Sequence, residues 1–77
     1  MDMRRLVGQN VWRIRQKKAL TQERFAELSG FSQQYISSLE QGRRNPTVVT
    51  LYELAAALGV TPIDLIRPRK TSRADTD

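Results

Sequence analysis

Residues 22–41, QERFAELSGFSQQYISSLEQ, read as two short helices joined by a tight turn. Thr21, just before the stretch, offers a hydroxyl that accepts a hydrogen bond from a free amide of the first helical turn, and Glu23 sets a negative charge where the helix dipole favours one. Ser32 does the same for the second helix. Between them Ser29-Gly30-Phe31 is short, and Gly30 takes the left-handed conformation that closes a helix at little steric cost. Such a turn makes the helices cross steeply, so a small residue is needed where the backbones approach, and Ala26 stands there. Phe25, Leu28, Phe31, Ile36 and Leu39 are expected to face a common core. The outer face of the second helix is left with Gln33, Gln34, Ser37 and Ser38. Their amides and hydroxyls both donate and accept, which suits the reading of base edges, although solvation alone also accounts for such a face.

Working outward to the amino terminus, a first helix is expected from about Arg4 to Lys18. Val7, Val11 and Ile14 recur at the spacing that builds one apolar stripe on a helix of 3.6 residues per turn. Arg15, Lys17 and Lys18 crowd its carboxyl end, where cations complement the helix dipole. A solvated face accounts for Lys17 and Lys18. Arg15 lies beside the stripe, and Glu40, at the end of the second central helix, is the carboxylate for a partly buried ion pair with it. Trp12 sits off the stripe; covering an edge of the core is the favoured reading, exposure in an interface the other.

Toward the carboxyl terminus, Gln41-Gly42-Arg43-Arg44-Asn45-Pro46 is a helix stop followed by a polar loop, with Gly42 as the left-handed cap and Pro46 barring continuation. Thr47 caps a fourth helix running to about Leu58, although Thr50 to Glu53 also fits a capping box one turn later. Leu51, Leu54, Ala55 and Leu58 form its buried stripe. Gly59 ends it, and Thr61-Pro62 opens a short fifth helix with Ile63, Leu65 and Ile66 as its apolar side. From Arg67 the chain changes to RPRKTSRADTD, a basic segment expected to be a disordered, solubilising tail that adds at most weak attraction to polyanions. The organisation is one domain over residues 1–66 and a tail over 67–77.

The 77 residues, 39% of them hydrophobic, suffice for one small domain with a single modest core. No cysteine and no histidine are present, which excludes disulfides, thiolate or imidazole metal sites and most nucleophile–base pairs. No metal or other cofactor is expected. The carboxylates are scattered and no second layer is available to form a cleft, so an enzyme is not expected either. Thirteen Lys and Arg against eight Asp and Glu give a net charge of +5, which favours a polyanionic partner without proving one. No apolar run reaches membrane-spanning length and no leader is expected, so the default location is cytoplasmic.

In order and spacing these features resemble the helix-turn-helix family of phage Cro and cI repressors, the XRE-type family. The likeness rests on Thr21-Gln22-Glu23 with Phe25-Ala26 opening the motif, Gly30 in the turn, Ser32 as cap, and Ile36-Ser37 followed by Leu39-Glu40. Gln41 to Thr47 and then Leu51 through Leu58-Gly59-Val60 extend it, so that it covers roughly residues 6 to 66. The resemblance implies an all-α fold: a compact five-helix, lambda-repressor-like DNA-binding domain whose third helix enters the major groove. It implies that Gln33, Gln34 and Ser38 point at base edges. It implies phosphate contacts from Gln22 at the first turn of helix 2, from Thr47 and Val48 at helix 4, from Arg43, Arg44 and Asn45 in the loop, and from Ser32 and Ser37. For Tyr35 two readings stand: its hydroxyl reaches phosphate, or its ring packs on the loop between helices 3 and 4. Arg15 and Glu40 correspond to a salt bridge that recurs in the family. Two departures stand out: Gln41 where relatives often carry asparagine, and the short Ser38 at a base-reading position.

The function implied is a sequence-specific, double-stranded DNA-binding transcriptional regulator, a repressor and nucleoid-associated, acting as a homodimer on a two-fold related operator. Leu58, Val60, Ile63, Leu65 and Ile66 are the expected dimer surface, unless they simply close the monomer core. The alternative is a protein-interaction module of the same fold, of the antiactivator or antitoxin kind. Gln33, Gln34 and the Arg43-Arg44 loop occurring together favour DNA.

Overall fold

The computed structural model describes residues 2–68. Five α-helices follow one another: α1 (Met3–Lys17), α2 (Gln22–Ser29), α3 (Gln33–Glu40), α4 (Val48–Leu58) and α5 (Pro62–Ile66), with no strand among the described residues. The starts are set by short polar side chains. Thr21 Oγ1 accepts from Arg24 N, Ser32 Oγ from Tyr35 N and Thr47 Oγ1 from Thr50 N, at 3.0, 3.0 and 3.1 Å. Thr47, not Thr50, therefore opens α4. Helix α1 begins one residue earlier than expected because Asp2 caps it, its carboxylate accepting from Arg4 N at 3.1 Å. At α5 the Asp64 carboxylate reaches back to accept from both the amide and the hydroxyl of Thr61, each at 3.0 Å.

Helix α1 packs on α3 and α5, α2 on α3 and α4, and α4 on α5. All of them close on Val11, Phe25, Ile36, Leu39, Leu54, Ala55 and Leu65, which are completely buried, with Val7, Ile14, Ala26 and Leu58 at the margin. Two expected core positions fail. Leu28 is 47% exposed and Trp12 is 50% exposed. The reason is angular: α2 turns Phe25, Ala26 and Ser29 inward, which leaves Leu28 roughly a third of a turn away on a helix of about 3.6 residues per turn. Trp12 likewise follows Val11 round to the outer face of α1, beside Leu6, Gln9 and Arg13.

Two contacts hold α1 in place. Gly8 lies against the end of α3: a Cβ there would collide with the Leu39 carbonyl oxygen and come within 2.9 Å of that of Glu40. Asn10 is buried and fully used, donating from Nδ2 to the carbonyls of Leu65 and Arg67 at 2.9 Å each and accepting from Arg13 Nη2 at 2.9 Å. The backbone is thus tied to α1 as far as Arg67. Of the segment expected to be a disordered tail, residues 69–77 lie outside the described residues.

Candidate nucleic-acid interface

Helix α3 is held by its apolar side and offers its polar side outward. Ile36 and Leu39 are fully buried, and Gln33 and Gln34 in the first turn are exposed. Neither amide hydrogen-bonds another described residue, so donor and acceptor of both remain available. Ser37 and Ser38, one turn on, are half-buried. Ser37 Oγ accepts from Gln41 Nε2 at 3.1 Å, which gives the glutamine at that position a partner within the helix. Gln33, Gln34, Ser37, Ser38 and Gln41 share one stripe by helical spacing.

The attitude of that stripe is set from behind. Arg15 Nε donates to Glu40 Oε2 at 2.6 Å and Nη2 donates to Oε1 at 3.0 Å, while Nη1 donates to the Leu20 carbonyl at 2.7 Å. The two side chains are 7% and 5% exposed. A bidentate pair with its remaining nitrogen also engaged has the geometry that offsets desolvation, and it binds the end of α3 to α1 in one orientation. Gln22 joins the network through Nε2, which donates to Glu40 Oε1 at 3.0 Å. Its side chain therefore links α2 to α3. What the first turn of α2 keeps for an anion is backbone: Thr21 takes Arg24 N and Phe25 N, and the amides of Gln22 and Glu23 have no partner among the described residues. The sequence reading looked for a phosphate contact at Gln22 and missed this bridge, whose two ends lie in different helices.

The loop after α3 carries Arg43, Arg44 and Asn45, all exposed. Tyr35 stands beneath it with its ring partly buried, stacked on Phe31 at 5.0 Å between centroids and with the Arg44 guanidinium 5.3 Å from its centre. The ring packs on the loop, the second of the two readings of that residue. Burial pushes the phenol above its ordinary range, and the Arg44 charge draws it partly back. Tyr35 is therefore a neutral donor at physiological pH. Beyond the loop, Thr47 uses its hydroxyl oxygen as cap and donates to Thr50 Oγ1 at 3.0 Å, and Val48 stands exposed at the start of α4. Ser32, likewise a cap, keeps its hydroxyl proton free of any described partner.

The expected dimer set is divided by the fold. Leu58 and Leu65 are 2% and 0% exposed, inside the monomer core, and Val60 packs against it. Ile63 and Ile66, at 57% and 38%, face outward. Val49 and Tyr52 on α4 are also exposed, a feature the sequence reading did not single out. No group of three or more acidic side chains converges as a metal site among the described residues, and no described helix is long and apolar enough to cross a membrane.

The family model described as Helix-turn-helix matches residues 13–65. An uncharacterised HTH-type transcriptional regulator of Sinorhizobium fredii, y4dJ, is 66% identical over 68 residues, 88% of each chain. The crystal structure of the hypothetical transcription factor NHTF from Neisseria superposes with a TM-score of 0.85 at 31% identity, over 92% of this chain and 82% of that one. The restriction-modification controller protein C.AhdI from Aeromonas hydrophila superposes with a TM-score of 0.77 at 37% identity, over 80% of this chain and 94% of that one.

Proposed function

The chain belongs to the helix-turn-helix family of Cro/cI-type transcriptional regulators, a family of DNA-binding proteins and not of enzymes, and from that premise we propose that it is a repressor that reads double-stranded DNA by sequence, as a homodimer on a two-fold related operator. The observation that carries this reading is the pair Gln33 and Gln34: two exposed amides without partners among the described residues, on a helix fixed behind by the buried Arg15–Glu40 bridge. A glutamine amide bonds adenine N6 and N7 together, so α3 laid in the major groove selects adenine with one or both, and Ser38 adds a shorter contact one turn later.

Phosphates fall to groups around that face. Arg43, Arg44 and Asn45 reach one strand from the loop, the amides at Gln22 and at Thr47-Val48, which have no partner among the described residues, receive phosphates at helix starts, and Ser32 and Ser37 contribute hydroxyls. Dimerisation through the exposed part of α5 sets two α3 helices about 34 Å apart, one turn of B-DNA. The place of action is the cytoplasm, at the nucleoid. Selection of bound sequences from a random DNA pool tests the proposal. A palindromic consensus supports both base reading and two-fold symmetry; absence of enrichment overturns it in favour of a protein-binding module.

A further inference from the structure

Among the described residues four arginines have their guanidinium groups beside carboxylates: Arg15 at Glu40, Arg24 at Glu27 and, more loosely, Arg67 at Asp64 and Arg4 at Asp2. Arg44 is held differently. Its guanidinium lies over the Tyr35 ring, 5.3 Å from the centroid, and donates to no described residue. A planar guanidinium lying over an aromatic face keeps its N–H donors at its edge, free for a bidentate acceptor such as phosphate.

The loop needs such a hold. Its start is pinned, with Gly42 N on the Leu39 carbonyl and Arg43 N on the Ser38 carbonyl, each at 3.0 Å, and its end is pinned by the cap at Thr47. Between these points Arg44, Asn45 and Pro46 donate no backbone hydrogen bond among the described residues. Arg44 clasps this stretch to the Tyr35 ring, and Tyr35 is itself steadied by stacking on Phe31 at 5.0 Å. Arg44 would otherwise carry the full rotamer freedom of a long exposed side chain into the complex and lose it there.

We propose that Tyr35 is a positioning residue for phosphate binding: its ring presents the Arg44 guanidinium ready for the backbone of duplex DNA, and it acts through Arg44 rather than through its own hydroxyl. The inference rests on the DNA-binding reading above. It separates two effects that a simple contact would merge. Loss of the ring leaves the charge of Arg44 in place but unordered, so affinity falls while the number of ions released does not.

The test is duplex binding by the full chain, followed by fluorescence anisotropy over a range of salt, on a random-sequence duplex and on a selected one. Tyr35→Phe should bind as the wild type. Tyr35→Leu should weaken binding to both duplexes about three- to tenfold with an unchanged salt slope, the scale of ordering one side chain. Arg44→Ala should lower the slope by about one, and in that background Tyr35→Leu should add no further loss. The Arg44 side-chain protons should show an upfield ring-current shift by NMR in the wild type and in Tyr35→Phe. Loss of affinity in Tyr35→Phe, additive losses in the double variant, undiminished affinity in a folded Tyr35→Leu, or an unshifted Arg44 each overturns the proposal while leaving DNA binding intact. The Phe variant and the Arg44 shift still decide it where Tyr35→Leu does not fold. Wild-type protein that binds no duplex defeats the DNA reading and this inference with it.

Discussion

A glutamine carries a donor NH2 and an acceptor carbonyl on one rigid planar group, so its value in recognition depends on both being free. Gln33 meets that condition, and Gln33→Ala should weaken binding to the selected operator by about 1–3 kcal/mol and relax preference at one base pair, while random-sequence binding stays the same. An operator affinity equal to that of the wild type would remove Gln33 from the reading set. Asn10 is the opposite case, a polar residue whose every group is in use inside the protein. Asn10→Ala leaves the Leu65 carbonyl buried without its donor and should cost about 1–3 kcal/mol of folding stability, measured by denaturant unfolding. The two residues also differ in how far the sequence discloses them. Gln33 stands one position after a capping serine on a face whose other side is Ile36 and Leu39, a pattern contained in eight residues. The carbonyls that Asn10 serves are 55 and 57 residues away, so its role appears only when α5 is set against α1.

At the scale of elements, helix starts are legible for the same reason: Thr21, Ser32 and Thr47 each bond an amide three residues on, and such local chemistry survives any packing. Which apolar residue faces inward is less local, and Leu28 and Trp12 escape a reading based on spacing because neighbouring helices decide where the buried arc is centred. The end of α1, expected at about Lys18, lies at Lys17, but the residue that closes it is unannounced. Ala19 N bonds the Gln16 carbonyl and Leu20 N the Arg15 carbonyl, the paired closure usual for a left-handed glycine, yet the residue in that conformation is alanine, with φ 56°. Ala19→Gly should therefore stabilise the fold by about 0.5–1 kcal/mol, the relief of the left-handed strain exceeding the added freedom of the unfolded chain; a lower thermal midpoint would count against this account.

The link from α1 to α3 allows a sharper test. Glu40→Ala strands a buried guanidinium and should cost about 3–5 kcal/mol, whereas Arg15→Met with Glu40→Leu should recover most of that stability and still lose discrimination between operator and random DNA. Retention of full discrimination by the double variant would deny the bridge its part in setting α3. The cap of α5 carries a pH signature. The Thr61 amide, followed by its hydroxyl, holds the Asp64 carboxyl below its ordinary 3.8. A group whose folded pKa is depressed contributes fully above its unfolded value and loses that contribution as pH falls through the folded one. Asp64→Asn should therefore flatten the acid limb of the stability profile below about pH 4.

Over the whole molecule, the proposed function needs two surfaces, one that meets DNA and one that repeats it. In a chain with an excess of basic residues, Arg43 is an exposed cation of the α3–α4 loop, and only measurement of the salt slope separates a phosphate contact there from general attraction. The proposed repeating surface is narrower than the five residues expected for it, because Leu58 and Leu65 are closed into the monomer core. Ile66 is not purely a surface residue either, since with Met3, Val7 and Leu51 it lines a small apolar cavity of about 130 Å³. Ile63 projects further and does not line that cavity, so it is the cleaner place to test dimerisation. Ile63→Glu should change folding stability by no more than about 0.5 kcal/mol, as surface substitutions do, while sedimentation finds a monomer at concentrations where the wild type is dimeric. The same variant should keep its contacts to a single half-site and lose the gain from two, so that inverting one half of the palindrome no longer matters to it. An intact dimer carrying a glutamate at that position would move the two-fold contact off α5, and the exposed Val49 and Tyr52 of α4 would be the next surface to charge.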